Sequence, residues 1–107
     1  MNEKIKEFLQ REFDSDETLM VLKSPLNIYW TWGVSKLQKV DERGLILKVN
    51  GHHWKDYVLI TLGWNDTYTV TLLDGDYNPT KSITDVYFDV LQTVIDKEIE
   101  YIDSYGA

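Results

Sequence analysis

The spacing of hydrophobic positions changes period several times along the chain. At the start, Ile5, Phe8, Leu9 and Phe13 recur at helical spacing, with Glu3, Lys4, Lys6, Glu7 and Arg11 on the other side. This predicts an amphipathic N-terminal helix ending near Asp14-Ser15-Asp16. The run Leu19-Met20-Val21-Leu22 is apolar throughout, so periodicity leaves it open between strand and helix. After Ser24-Pro25 the period becomes two: Ile28, Trp30 and Trp32 face one way, Tyr29 and Thr31 the other. Gly33 ends or bulges this predicted strand. Residues 34–43 are irregular, and Asp41-Glu42-Arg43-Gly44 reads as a turn.

Leu45, Leu47 and Val49 then alternate with Ile46 and Lys48, and Asn50-Gly51 follows. Asn-Gly is a strong hairpin signal, because both central residues of a type I′ turn need positive φ. A turn there pairs Val49 with His52 and Leu47 with Trp54. It places His52, Trp54, Val58, Ile60 and Leu62 on the face of Leu45, Leu47 and Val49, so the two apolar sets agree in register. The next strand carries Tyr68, Val70 and Leu72 on one face and Thr67, Thr69 and Thr71 on the other. Continuity of the apolar face requires Leu62 opposite Tyr68, hence a connection of odd length, three or five residues, around Gly63-Trp64-Asn65-Asp66. Finally Ile83, Val86, Tyr87, Val90, Leu91, Val94, Ile95, Ile99 and Ile102 follow the helical period, with Ser82 or Thr84 as N-cap.

The predicted fold is one α+β domain over residues 1–107. It has an N-terminal helix, a four-stranded antiparallel meander and a long C-terminal amphipathic helix packed on one sheet face, that of Trp30, Leu47, Ile60 and Val70. The other face carries Tyr29, Ile46, Tyr57, Leu59 and Leu73. It is too apolar for free solvent, so either the first helix covers it or a partner does, for example a second copy meeting the Tyr29/Tyr57/Leu59 face.

Composition narrows the function classes. Hydrophobic residues make up 43% of the 107, and 13% are aromatic, enough for a packed interior. Cysteine is absent, which favours a reducing compartment. No apolar run approaches the roughly 20 residues that cross a bilayer, and Met1-Asn2-Glu3-Lys4 opens no signal region. The expected location is the cytoplasm. A net charge of −7 argues against direct nucleic-acid or anionic-membrane binding and suits a basic protein partner.

Along the predicted C-terminal helix, Asp85, Asp89, Asp96, Glu100 and Asp103 fall on one narrow arc. Such an arc is either a solvated face or a partner-binding surface for a basic protein; one version of the latter is DNA mimicry. Residues 74–85 offer Asp74, Asp76, Asn78, Ser82 and Asp85 at calcium-loop spacing. Against calcium, Pro79 stands where that loop needs glycine, and Asp85 where it needs a longer glutamate. His52 and His53 are adjacent in a predicted strand and point apart. No metal or other cofactor is expected. Glycine-rich phosphate loops, nucleophile elbows and zinc-protease motifs are absent. Trp30, Trp32, His52 and Trp54 are the candidate residues for a ligand pocket near the Trp-rich strands.

The segments Trp30-Thr31-Trp32-Gly33, Val49-Asn50-Gly51-His52-His53-Trp54-Lys55, Asp66-Thr67-Tyr68-Thr69-Val70 and Asp85-Val86-Tyr87-Phe88-Asp89-Val90-Leu91 resemble a family of small uncharacterised proteins of bacterial mobile or accessory genetic elements. The resemblance spans about residues 28–103. It implies an accessory role, such as a regulator or inhibitor, and no particular site. The expected function is a non-enzymatic protein-binding module that uses the acidic helix face or the aromatic sheet face. The alternative is a small-ligand or enzymatic domain.

Overall fold

The structure, a computed structural model, describes residues 6, 8–24, 26–51 and 54–99. Among the described residues Lys6 is helical, and two short helices follow, α1 (Ser15–Leu22) and α2 (Leu26–Thr31). Five strands follow: β1 (Lys36–Val40), β2 (Gly44–Lys48), β3 (Tyr57–Leu62), β4 (Tyr68–Leu73) and β5 (Pro79–Val86). A 3-10 turn (Phe88–Val90) leads into α3 (Leu91–Ile99). The strands pair in chain order, each antiparallel to the next. The class is α+β, with one strand more than the pattern predicts.

Register follows the apolar faces. Leu62 lies opposite Tyr68 across a five-residue connection, residues 63–67. Leu45 faces Ile60 and Leu47 faces Val58. Asn50-Gly51 is not the hairpin turn: Val49 N–H bonds the Asp56 carbonyl and Gly51 N–H the Trp54 carbonyl, each at 2.9 Å. The connection is thereby centred two residues beyond the predicted turn. A shift by an even number of residues leaves every side chain on its expected face, so the face assignment survives although the turn does not.

One face of the sheet carries the main core. Leu45, Leu47, Val58, Ile60, Val70 and Val86 pack against Leu22 of α1, Tyr29 of α2, Trp32, and Leu91, Ile95 and Ile99 of α3. The opposite face holds Val40, Ile46, Leu59 and Leu73, covered by Phe8, Leu9, Tyr57 and Tyr77. Leu59 is fully buried, so it has no surface to offer a second copy. Tyr29 does not lie on that face: it belongs to α2 and the main core.

Four elements depart from the pattern, each for a tertiary reason. Residues 28–32 are not a strand. Leu26–Thr31 is helical, and its inward residues Tyr29 and Trp32 are three apart while Leu26 and Trp30 stay exposed. The alternation of aromatics there matched both periods. Residues 36–40 form a strand although only Val40 is buried. Pairing with β2 makes it so, and Lys36 and Lys39 protect the open edge. Leu19–Leu22 is helix, started by Asp14, whose carboxylate accepts from the N–H groups of Asp16 (3.0 Å) and Glu17 (3.3 Å). The chain therefore begins a helix where the pattern ends one. Of the predicted N-terminal helix, residues 1–5 and 7 lie outside the described residues, and residues 9–14 are irregular.

The fourth departure is the long C-terminal helix. Its first part is β5, and only Leu91–Ile99 is α-helical. Val70 pairs with Ile83, but Tyr68 pairs with Val86, so β5 carries one extra residue. Asp85 takes the left-handed conformation at this bulge, with φ of 57°. The bulge brings Ile83 and Val86 to the same side, both against the main core. A spacing of three thus arises in a bulged strand and imitates a helix. The Trp30/Leu47/Ile60/Val70 face is covered by helices as expected, except that Trp30 stands outside it.

Candidate protein-docking groove

α1 and α3 lie side by side. Gln92 of α3 is buried, and its side-chain N–H donates to the Leu22 carbonyl at the end of α1, at 2.7 Å. Thr18 on the inward face of α1 exchanges a hydrogen bond with the Tyr68 hydroxyl at 2.8 Å. These two buried contacts fix the rotation of α1 about its axis. Its adjacent stripe, Glu17, Met20, Val21 and Ser24, then faces Phe88, Asp89, Gln92 and Thr93 across an open groove of about 590 Å³. Glu17, Met20 and Val21 share one face of α1 and Gln92 and Thr93 lie on α3, while Ser24 follows α1 and Phe88 and Asp89 belong to the 3-10 turn.

The groove is apolar in its walls and acidic at its edge. Met20 is 73% exposed and Phe88 65%, and neither has a structural reason to be large and apolar. Among the described residues no lysine or arginine lines the groove, while Glu17 and Asp89 both do. Tyr87 and Val90, flanking the groove in sequence, are also exposed. Apolar surface with a rim of one charge sign is the composition of a recognition site.

The acidic residues singled out in the sequence do not share one helix face. Asp85 sits in the β5 bulge and Asp89 in the 3-10 turn, at the groove. Asp96 is on α3, but its carboxylate accepts a hydrogen bond from the Trp32 indole N–H at 3.0 Å. Glu100 and Asp103 lie outside the described residues. Among the described residues, therefore, no phosphate-like ladder of carboxylates forms, and of the three described Asp89 contributes to the groove.

Nor do the pocket candidates converge. Trp32 is fully buried, Trp30 is 72% exposed, and Trp54 packs at the edge of the main core with its indole N–H on the Tyr57 carbonyl at 3.0 Å. His52 lies outside the described residues. The twelve-residue calcium spacing is broken as well. Residues 79–86 are strand, and Asp74 turns one carboxylate oxygen onto the N–H groups of Asp76 and Asn78, both at 2.9 Å. No group of three or more His, Cys, Asp or Glu is placed to hold a metal ion among the described residues. No helix among them is long and apolar enough to cross a membrane.

Sequence reasoning missed the groove because Met20 and Val21 of its wall lie in the ambiguous run Leu19–Leu22. The available signal was Met20: once that run is helical, Met20 falls outside the buried Thr18/Leu22 face and beside Glu17. Comparison with protein-family models, with curated proteins and with solved structures finds no match to this chain.

Proposed function

We propose that the protein is a non-enzymatic protein-binding module, an inhibitor or regulator acting in the cytoplasm, whose contact surface is the α1/α3 groove. The observation that carries this reading is the pair Met20 and Phe88, exposed at 73% and 65% on opposite walls of one groove. The partner segment presents apolar side chains to these walls and lysine or arginine to Glu17 and Asp89. Apolar anchors supply the affinity of such a contact, and rim charges the association rate and its salt dependence. The chain's net charge of −7 extends the same attraction over a Debye length of about 8 Å at physiological salt. The resemblance to accessory-element proteins accords with a regulatory role.

Comparative capture from the native host tests the reading. The unaltered protein is expected to retain a specific basic partner that Met20→Glu and Phe88→Glu each lose and that Asp89→Lys loses at low salt. Lys36→Ala, on the far edge of the sheet, keeps it. A partner retained equally by all four folded variants overturns the groove as the contact surface.

A further inference from the structure

The connection between β3 and β4 presents a second exposed aromatic, Trp64, at 76% exposure. Its setting is polar. Beside it a shallow hollow of about 340 Å³ is lined by Gln10, Asn65, Thr69, Thr84 and Asp85. It shares no lining residue with the α1/α3 groove.

The platform under the indole is locked by short-range bonds. Gly63 N–H donates to the Thr67 carbonyl at 2.8 Å, and Asp66 N–H to the Gly63 carbonyl at 3.1 Å. Asn65 Oδ1 accepts from both the N–H (3.2 Å) and the hydroxyl (2.7 Å) of Thr67. Asp66 is held by an ion pair with Arg11. Because Oδ1 is committed to Thr67, the Asn65 amide nitrogen is directed elsewhere and stands 3.5 Å from Asp85 Oδ1. A donor and an acceptor thus lie next to each other at the edge of a rigidly presented ring.

We infer that Trp64 and this hollow form a binding site for a neutral saccharide. A pyranose has an apolar C–H face that lies flat on an indole, and vicinal hydroxyls that each offer a donor and an acceptor. The Asn65 amide and Asp85 carboxylate match such a pair, with the hydroxyls of Thr69 and Thr84 beside them. Among the described residues no cation lines this hollow, Arg11 and Arg43 lying with Glu12 on the other side of Trp64; a phosphate in it would meet the Asp85 carboxylate, which repels an anionic sugar as well. The mixed polar lining disfavours a purely apolar ligand, which would remove water from those groups and replace none of its hydrogen bonds. Asp85 reaches the site only because the β5 bulge holds it in the left-handed conformation, with φ of 57°.

The experiment follows the indole N–H signals by heteronuclear NMR. A panel of neutral oligosaccharides is titrated into the full chain: β-linked gluco-, xylo- and chito-oligosaccharides and an α-linked malto-oligosaccharide. At least one is expected to shift the Trp64 indole and the Asn65 side-chain amide saturably. Trp64→Ala should abolish saturation at Asn65 without moving the melting temperature. Asp85→Gly, which the backbone conformation tolerates, should weaken binding by about tenfold, the loss of one good hydrogen bond to a charged group. The inference is overturned if no saccharide in the panel shifts Trp64 saturably, or if the shifts survive Trp64→Ala. It is equally overturned if Trp64→Ala removes a captured protein partner while every saccharide leaves Trp64 unmoved, since the face is then a protein contact. None of these results depends on Met20 or Phe88, so the groove reading stands or falls separately.

Discussion

At the scale of single residues, one polar contact at the edge of the core ties Trp32 to Asp96. The Trp32 ring is fully buried and its only hydrogen-bonding atom donates to Asp96 at 3.0 Å. Asp96→Ala leaves that N–H without its partner and should destabilise the fold by about 1–3 kcal/mol, whereas Asp96→Asn keeps an acceptor oxygen and should cost much less. Urea denaturation of the two variants checks the difference; equal losses would mean that the carboxylate charge, not the hydrogen bond, matters. Tyr29 and Tyr77 give a pH dependence. Burial raises the Tyr29 phenol above its ordinary value. Hydrogen bonding to Tyr57, with smaller additions from burial and from the Tyr57 charge, raises Tyr77. A group whose folded pKa exceeds its unfolded one stabilises fully below the unfolded value and loses that contribution as pH rises through the folded one. Stability is therefore expected to hold up to pH about 10, the ordinary tyrosine value, and to fall above it. Chemical denaturation across alkaline pH should show the fall, and Tyr29→Phe should reduce it.

At the scale of elements, two positive-φ positions decide where helix and strand end. Gly33 closes α2 with φ of 59°, and a Cβ there would stand 3.2 Å from both the Cβ and the carbonyl oxygen of Asn50. Gly33→Ala is expected to cost about 1–2 kcal/mol from the left-handed backbone alone, with the close approach adding to it. At Asp85 the requirement is the same without the crowding. Asp85→Gly should stay within about 0.5 kcal/mol of the unaltered protein, as surface changes usually do, while Asp85→Val should lose about 1–2 kcal/mol, because a β-branched residue is a genuine outlier in that region. Thermal melts of the pair test whether the bulge is a designed feature of β5. If both variants melt alike, the backbone at position 85 is not under this constraint.

At the scale of the whole molecule, the helices and the sheet form one core, and the groove sits on its outside. Leu91, Ile95 and Ile99, spaced by four, are each fully buried against the sheet. Ile95→Ala is expected to cost about 2–5 kcal/mol, the range for truncating a buried aliphatic side chain. Met20→Ala and Phe88→Ala, at the exposed groove walls, should stay within about 0.5 kcal/mol. Denaturant midpoints of the three variants separate the residues that hold the fold from those exposed on the groove walls. A large loss at Met20 or Phe88 would show that the groove is part of the core.

Much of the architecture is legible in the chain by itself. Alternation over residues 45–49, 58–62 and 68–72 assigns both faces of the central strands, because the side-chain period of a strand is two and an even shift of register leaves it intact. The odd connection between Leu62 and Tyr68 follows from the same rule. What tertiary structure decided lies where two periods coincide. Ile83 and Val86 fit a helix and a bulged strand equally, and only the open edge of β4 selects the strand. Ile28, Trp30 and Trp32 fit an alternating strand, but the sheet is edged by β1, a strand with almost no burial of its own, and Tyr29 and Trp32, three apart, are the pair that the helical turn buries. The acidic arc dissolved for the same reason, since its first member is in a strand and Asp96 is bonded to Trp32. The groove depends on how α1 is rotated, and that rotation is set by Thr18 on Tyr68 and Gln92 on Leu22, contacts 50 and 70 residues apart in the chain. Local pattern carries no information about pairings at that distance, so the three central strands are readable in the sequence, and the two edge strands and the candidate sites on the surface are not.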